Sequence, residues 1–254
     1  MRRFFLPTSQ IHETRAVLSG PELHHLRHVL RLQPGNKVAL CDEQGNEYQG
    51  VISSLSSVTG EISITRTLVH PQRFSLTLVQ GVLKGQKMDF VIEKATELGI
   101  SQIVPVVSQF TVARFRVDRQ DNRLTRWQRI AQSAAKQSGS PVPQLTSPCS
   151  LREFLQSSSD KSEKILFYEK ARGETLKTFA QTYPTLSSLC VIVGAEGGFA
   201  EGEIAHARQA GCHILSLGTQ VLRAETAAVA ALALCQFLWG TPELPPLPER
   251  GRMP

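Results

Sequence analysis

A turn that contains glycine follows each of two apolar runs of strand length, residues 189–193 and 213–217. Aliphatic and β-branched runs bounded by glycine are typical of buried parallel strands. Ligands of open α/β sheets bind in the crevice at the carboxyl ends of such strands. The two turns therefore predict one pocket, walled by backbone groups and by the aliphatic side chains of Leu217, Val221 and Leu222.

The residues of these turns restrict the class of ligand that the pocket can bind. The turn at 194–198 lacks the Gly-Lys-Ser/Thr ending of a phosphate-binding loop, and no Gly-x-Gly-x-x-Gly opens a helix after a strand. ATP hydrolysis and ordinary nicotinamide binding are therefore disfavoured. A largely uncharged planar ligand such as an adenosine suits the pocket. From the pattern alone, plain connections between strands and helices fit equally well, because glycine caps are routine there.

The amino-terminal part, residues 1–70, alternates short apolar runs with turn residues, which predicts a small β-barrel. One helix interrupts this pattern, beginning with Pro21 in its first turn and stopping before Pro34. A basic stripe follows its axis at helical spacing: His24, Arg27, His28 and Arg31. The stripe fits an RNA backbone or a solvated surface. Zinc binding is disfavoured, because the sequence offers no third ligand nearby.

After a linker at 70–73, strand patterns alternate with helix patterns, which predicts a parallel α/β sheet. The predicted strands are 74–80, 100–107, 164–168, 189–193 and 213–217. A predicted last helix, 225–239, is apolar nearly all round and should be buried on several sides, with a subunit interface as one covering. The Pro-rich stretch 241–254 reads as a loose tail.

Composition gives weaker constraints. The 254-residue chain carries a formal net charge of +6, which favours a polyanionic partner, and five scattered cysteines, which read as reduced core residues. No apolar run is long enough for a membrane span or a signal peptide, so a cytoplasmic location is expected.

Four motifs in register resemble the RsmE family of ribosomal RNA methyltransferases. Residues 194–199 read Gly-Ala-Glu-Gly-Gly-Phe and are similar to that family's Gly-Pro-Glu-Gly-Gly-Phe loop. Residues 217–227 resemble its second signature, Leu-Gly-x-Arg-Ile-Leu-Arg-x-Glu-Thr-Ala. The likeness extends to segments 24–31, 84–99 and 134–139 and so spans nearly the whole chain.

Three positions depart from the family pattern. Ala195 stands in place of the proline, Gln220 in place of an arginine, and Ser140 where an arginine is common. The loss of proline costs loop rigidity, since proline would fix φ. Gln220 removes a charge near the predicted pocket and puts in doubt any role specific to that arginine.

The resemblance implies an α/β SPOUT fold, in which a carboxyl-terminal trefoil knot surrounds a parallel sheet, and a small amino-terminal PUA-like β-barrel. The implied domains are 1–70 for RNA binding and 74–240 for methyl transfer, with 241–254 as the tail. The implied reaction is S-adenosyl-L-methionine-dependent methylation of N3 of uracil 1498 in 16S ribosomal RNA of the small subunit. A homodimer is implied, without metal or membrane.

The resemblance also assigns roles to residues. Arg223 is the first catalytic candidate, and its alternative role is an ion pair with Glu225 or a structural contact to a loop carbonyl. Glu196 is the second candidate, as a hydrogen-bond partner of the base or a proton acceptor, and a cap on its own turn fits equally well. The expected cofactor-binding residues are Phe167, Tyr168, Gly194, Gly197, Leu217, Gly218, Val221, Leu222, Ala224 and Thr226. The expected RNA-binding residues are Arg2, Arg3, His25, Arg27, Arg31, Lys84, Arg114 and Arg116.

Two other functions remain open at this point. A ribosomal RNA-binding assembly factor could keep this fold and lack catalysis, although residues 197–198 and 222–226 keep the family's wording. A nicotinamide-dependent oxidoreductase is disfavoured by the missing dinucleotide fingerprint.

Overall fold

The computed structural model describes residues 2–42, 45–68, 74–111, 120–157 and 162–240. The predicted linker 70–73, the predicted tail 241–254, and both Arg114 and Arg116 lie outside the described residues. Among the described helices, none has the length and apolarity needed to cross a membrane.

The amino-terminal region is a curled five-stranded sheet with the strand order β1-β3-β4-β5-β2. Its strands are β1 (Arg2–Phe5), β2 (Arg15–Leu18), β3 (Lys37–Cys41), β4 (Glu47–Leu55) and β5 (Gly60–Leu68). β1 and β3 are parallel, and the other neighbours are antiparallel. Register shifts between β4 and β5 increase the local twist and bend the sheet around a core that includes Phe4, Leu26 and Leu40.

The helix of this region differs from the sequence prediction. A short α1 (Gly20–His24) runs directly into a π-helical turn, His25–Val29, whose Leu30 N–H donates to His25 O at 2.9 Å. The wider turn changes the angular spacing of the side chains. Arg31 then leaves the helical path with φ of 52°. The predicted continuous basic stripe is therefore wrong, because it assumes one regular helix.

A second sheet holds seven strands, and every neighbouring pair in it is parallel, as predicted. The order is β12-β10-β11-β6-β7-β8, with β9 also paired to β7. The strands are β6 (Ser75–Gly81), β7 (Gln102–Val107), β8 (Gln144–Leu145), β9 (Cys149–Ser150), β10 (Glu163–Phe167), β11 (Ser188–Val193) and β12 (His213–Leu215).

Both faces of this sheet are covered, which explains why its strands read as continuous apolar runs. In β11, Val191 belongs to one core cluster and Ile192 to the other, since successive side chains point to opposite faces. The covering helices are α2 (Gln86–Glu97), α3 (Gln120–Ser138), α4 (Leu151–Ser157), α5 (Leu176–Thr182), α6 (Glu201–Gln209) and α7 (Ala224–Trp239).

The last helix is buried on one side, against the expectation of several. Ala228, Ala231 and Leu232 are fully buried, whereas Phe237 is 78% exposed and Leu234 44% exposed. The described chain thus leaves one apolar face of α7 uncovered. The five cysteines all lie in the described residues and form no disulfide there; four are buried and Cys149 is half-buried. Burial raises the pKa of Cys235 to about 12.

Replacing Gly81 with Ala tests the closest backbone approach in the second sheet. A Cβ there would lie 2.7 Å from Gly194 C and closer still to Ala195 N, so the end of β6 and the loop after β11 would have to separate. We expect Gly81→Ala to lower stability by about 1–3 kcal/mol. Urea unfolding followed by circular dichroism measures this change.

Gly202→Ala is the matched control, because a Cβ at Gly202 in α6 meets no atom within 4 Å. This variant should gain roughly 0.5–1 kcal/mol, since alanine favours the helix. Equal effects of the two substitutions would contradict the close approach at Gly81.

Candidate functional site

A cleft of about 380 Å³ opens at the carboxyl ends of β10, β11 and β12. Two glycine loops and the start of α7 form most of its wall, which is the arrangement that the apolar runs predicted. Its volume lies in the range of small-molecule sites. The lining residues are Lys87, Phe167, Tyr168, Glu169, Val193, Gly194, Ala195, Glu196, Gly197, Gly198, Phe199, Ser216, Leu217, Gln220, Val221, Leu222, Arg223, Ala224 and Ala227.

The loop after β11 is fixed by its own backbone and by a buried glutamine. Gln80 Nε2 donates to Gly194 O at 3.1 Å and to Gly81 O at 3.0 Å. Gly198 N–H donates to Ala195 O at 2.9 Å, and Gly198 has φ of 68°, a conformation that favours glycine. Ala195 is buried, so the residue that replaces the family's proline is held by packing.

The loop after β12 closes through a hydroxyl. Ser216 Oγ donates to Gly218 O at 2.8 Å, and Gly218 N–H donates back to Ser216 Oγ at 3.3 Å. Leu217 and Leu222 face the cleft, and the loop ends at Arg223, the N-cap residue of α7. A third wall comes from β10, whose following residue Tyr168 donates its N–H to Leu215 O at 2.8 Å.

The charges at the cleft are organised around Glu196. Burial alone would raise the pKa of Glu196, but hydrogen bonds from its own N–H and from Lys84 N–H, together with the charge of Lys87, hold that pKa below its ordinary value. Lys84 N lies 3.2 Å from Glu196 Oε1, and Lys87 Nζ lies 3.5 Å from the same oxygen. Glu196 is therefore an ionised carboxylate and a weak base.

Arg223 makes no ion pair with the residues that the structure describes. Its structural alternative, a pair with Glu225, is not formed, because Glu225 Oε2 lies 3.6 Å from Lys87 Nζ instead. The side chain of Arg223 is exposed and lines the cleft. Its guanidinium is thus available to an anion in the cleft.

Most of the predicted pocket residues line the cleft, with two exceptions. Gly218 shapes the second loop from behind with φ of 137°, and Thr226 lies exposed in the first turn of α7. Lys87 and Glu169, which were not among the residues expected in the pocket, line the cleft from α2 and from the residues after β10. Lys87 falls inside the recognised segment 84–99, so its position was the available signal.

The predicted RNA-binding residues lie in different surroundings. Arg3 pairs with Glu47 at 3.3 Å and lies against Gly139, and Arg27 Nη1 donates to Ser56 O at 2.6 Å. His25 contacts the edge of Phe4, with ring centroids 6.2 Å apart. Arg2, Arg31 and Lys84 have exposed side chains. Within the described part of the chain, no group of three or more His, Cys, Asp or Glu residues could hold a metal ion.

Comparison with known proteins defines the class. Residues 70–236 match the sequence model of the RNA methyltransferase domain, and residues 18–63 match that of the RNA methyltransferase PUA domain. The sheet, the cleft and these two matches are those of an RNA methyltransferase.

Relatives then define the family. The chain is 31% identical to ribosomal RNA small subunit methyltransferase E from Neisseria gonorrhoeae, whose crystal structure is bound to S-adenosyl methionine; the match covers 94% of this chain and 98% of that one, with a TM-score of 0.80. It is 28% identical to the Bacillus subtilis protein of the same name over 93% of this chain and 96% of that protein. It is 30% identical to the Mycobacterium bovis protein of that name, over 85% and 84% of the two chains. This chain belongs to the ribosomal RNA small subunit methyltransferase E family, RsmE.

The ionised state of Glu196 generates a pH-dependent prediction. Because its folded-state pKa is lowered, its stabilisation is present above the unfolded-state pKa of about 4.3 and is lost as pH falls through the folded-state pKa. We expect Glu196→Gln to lower Tm at pH 7 and the difference from the parent protein to narrow below about pH 4. Thermal unfolding followed by circular dichroism across this range measures the difference.

Glu13→Gln serves as the control, because Glu13 is exposed and forms no ion pair within the described ranges. Its Tm difference should stay small at every pH. A Glu196→Gln deficit that persists undiminished in acid would contradict the role of the ionised carboxylate.

Proposed function

We propose that the protein transfers the methyl group of S-adenosyl-L-methionine to N3 of a uridine in 16S ribosomal RNA of the small subunit, with uracil 1498 as the family-implied target. Family membership supports the methyl donor and the RNA. The observation that carries the proposal is the cleft, in which both glycine signatures of the family meet at the ends of β11 and β12, on either side of β10. The finer assignment to one nucleotide rests on the family resemblance.

The chemistry of the cleft fits the donor. Backbone groups of residues 194–198 and 216–217 are suited to the polar edge of an adenine, and Phe167, Leu217 and Leu222 offer apolar surfaces to its faces. Tyr168, Gly194, Gly197, Val221 and Ala224 complete the proposed donor site, with Gly218 and Thr226 shaping it from outside the lining. When bound, the donor supplies a sulfonium methyl group.

Arg223 is the proposed catalytic cation. The N3 proton of uracil must leave before or as the methyl group arrives, and negative charge then spreads over the two flanking carbonyl oxygens. The guanidinium of Arg223 keeps its charge at any relevant pH and has no competing carboxylate in the described chain. It would stabilise that charge electrostatically.

Glu196 is proposed to position the loop after β11 and not to accept a proton. Its lowered pKa makes it a poor proton acceptor, whereas its bonds to Lys84 N–H and Lys87 connect the loop after β11 to the start of α2. A carboxylate with these partners can still accept a hydrogen bond from the base.

The barrel, within residues 1–70, is proposed to hold the RNA, and residues 74–240 to methylate it. The exposed side chains of Arg2, Arg31 and Lys84 are the proposed phosphate contacts. Arg3 and Arg27 already have internal partners and would fix the barrel itself. A target base stacked in RNA must be exposed before it enters the cleft.

Two further features are proposed from the family. A second copy of the chain would cover the exposed apolar side chains of α2, α7 and the loop before α7, namely Phe90, Val221, Leu234, Phe237 and Leu238. A trefoil knot would lie in the carboxyl-terminal segment. It is supported by the path of the chain, which goes from β12 at the sheet edge back to α7, packed on α2, β6 and β11.

Methylation of small ribosomal subunits with radiolabelled donor tests the function directly. We expect label in N3-methyluridine after nucleoside analysis, and none when subunits already methylated at that position are used. Label in another nucleoside would overturn the uridine-N3 assignment. Binding of RNA without any transfer would favour a catalytically inactive assembly factor.

Arg223→Ala separates catalysis from donor binding. We expect methyl transfer to fall by about 100-fold, the usual scale for loss of one charge-stabilising donor. Donor affinity, measured by calorimetry, should change by less than about threefold. Arg208→Ala, an exposed arginine on α6, is the matched control and should alter neither quantity. Equal losses in transfer and donor binding would make Arg223 a structural residue.

Salt dependence tests the proposed RNA contacts. Affinity for a 16S ribosomal RNA fragment should fall as salt rises, and Arg2→Gln should reduce the slope of log K against log salt by about 0.7 for a single-stranded contact. Arg208→Gln should leave the slope unchanged. Fluorescence anisotropy at several salt concentrations gives the slope. A flat response of the parent protein would contradict an RNA surface on the barrel.

A further inference from the structure

The side chain of Lys87 forms ion pairs with carboxylates at both of the segments that follow β11 and β12. Its Nζ lies 3.5 Å from Glu196 Oε1 in the loop after β11 and 3.6 Å from Glu225 Oε2 in the first turn of α7. The two carboxylates belong to the two separate family signatures and are 29 positions apart in the sequence. Lys87 itself comes from α2 and lines the cleft.

In the described part of the chain, the Glu225 oxygen that faces Lys87 lacks the hydrogen bonds that a buried carboxylate oxygen normally accepts. Glu225 Oε2 is buried and has no hydrogen bond within the described residues, so the ammonium of Lys87 is its nearest polar compensation there. A buried carboxylate oxygen without compensation is costly. Removal of Lys87 would therefore leave Glu225 to turn toward water and pull on the start of α7.

The position of Lys87 is unfavourable by itself. It lies in the first turn of α2, where the helix dipole disfavours a positive charge. Carboxylates of Glu196 and Glu225 on two other elements offset this cost. A residue that breaks a local rule while joining distant segments is a candidate for a positioning role.

We propose that Lys87 is a positioning residue that holds the loop after β11 and the loop before α7 in one fixed arrangement, so that the cleft is formed before the donor enters. The ammonium acts through Glu196 and Glu225, and it makes no contact with the reacting atoms. This inference rests on the proposed function for its donor-binding part, and its structural part can be measured without any donor.

The first test uses stability alone. A triple-mutant cycle with Lys87→Met, Glu196→Gln and Glu225→Gln is measured by urea unfolding at pH 7. We expect the coupling between the Glu196 and Glu225 substitutions to differ between the two backgrounds, because in Lys87→Met only the repulsion between the two carboxylates remains. The same glutamate coupling with and without Lys87 would overturn the proposal.

The second test follows the loops. In hydrogen exchange read by mass spectrometry, Lys87→Met should raise exchange in peptides that cover 194–198 and 217–225 together, and Lys87→Arg should restore protection in both. Lys177→Met, an exposed lysine on α5, is the matched control and should change neither segment. A change confined to one loop, or failure of Lys87→Arg to restore both, would contradict a joint role.

The third test concerns the donor. Lys87→Met should weaken S-adenosyl-L-methionine binding by roughly 3- to 10-fold in calorimetry, the scale of two partly exposed ion pairs, and Lys87→Arg should recover most of the loss. Failure of the parent protein to bind the donor would count against the proposed function. Where the parent protein binds the donor, an equal donor affinity of Lys87→Met would count against the positioning role.

Discussion

At Gly81, the end of β6 and the first residues of the loop after β11 lie against each other with no room for a side chain. The adjacent Gln80 is buried and donates its amide to Gly194 O, so the loop leaves the sheet in a defined direction. Because β11 lies between β10 and β6, that direction sets the position of the whole loop above the strand ends. The cleft exists because backbone can approach backbone at this point.

The second constraint is electrostatic. Lys87 has two carboxylate partners, Glu196 and Glu225, while Arg223 has no carboxylate partner in the described chain. One cation is thereby used within the protein, and the other is free for an anionic group in the cleft. This division is the basis of the two proposed roles of basic residues that line the same site, positioning for Lys87 and catalysis for Arg223.

In the region of the amino-terminal sheet, too, some basic side chains pair within the protein and others are exposed. Arg3 pairs with Glu47 and lies against Gly139 at the end of α3, and an ion pair between Lys136 and Glu22 joins α3 to α1. These contacts connect the two sheets of the molecule. The positive charges proposed to contact RNA are those of Arg2, Arg31 and Lys84, whose side chains are exposed.

The sequence by itself determined the parallel sheet, the positions of five of its seven strands and about half of the residues that line the cleft. Apolar runs bounded by glycine report local conformation and burial, and both are encoded within a few residues. It also determined the family, because four motifs stand in register along the chain. The π turn after His24 was not predictable, since its hydrophobic spacing resembles that of a regular helix.

Only the tertiary structure decided which charges meet. Lys87, Glu196 and Glu225 come from α2, the loop after β11 and α7. No local sequence pattern indicates that Lys87 Nζ lies 3.5 Å from Glu196 Oε1 and 3.6 Å from Glu225 Oε2. The exposure of Phe237 on an apolar helix and the absence of a pair between Arg223 and Glu225 were decided in the same way. Contacts between distant segments depend on how elements pack, and packing is a property of the whole fold.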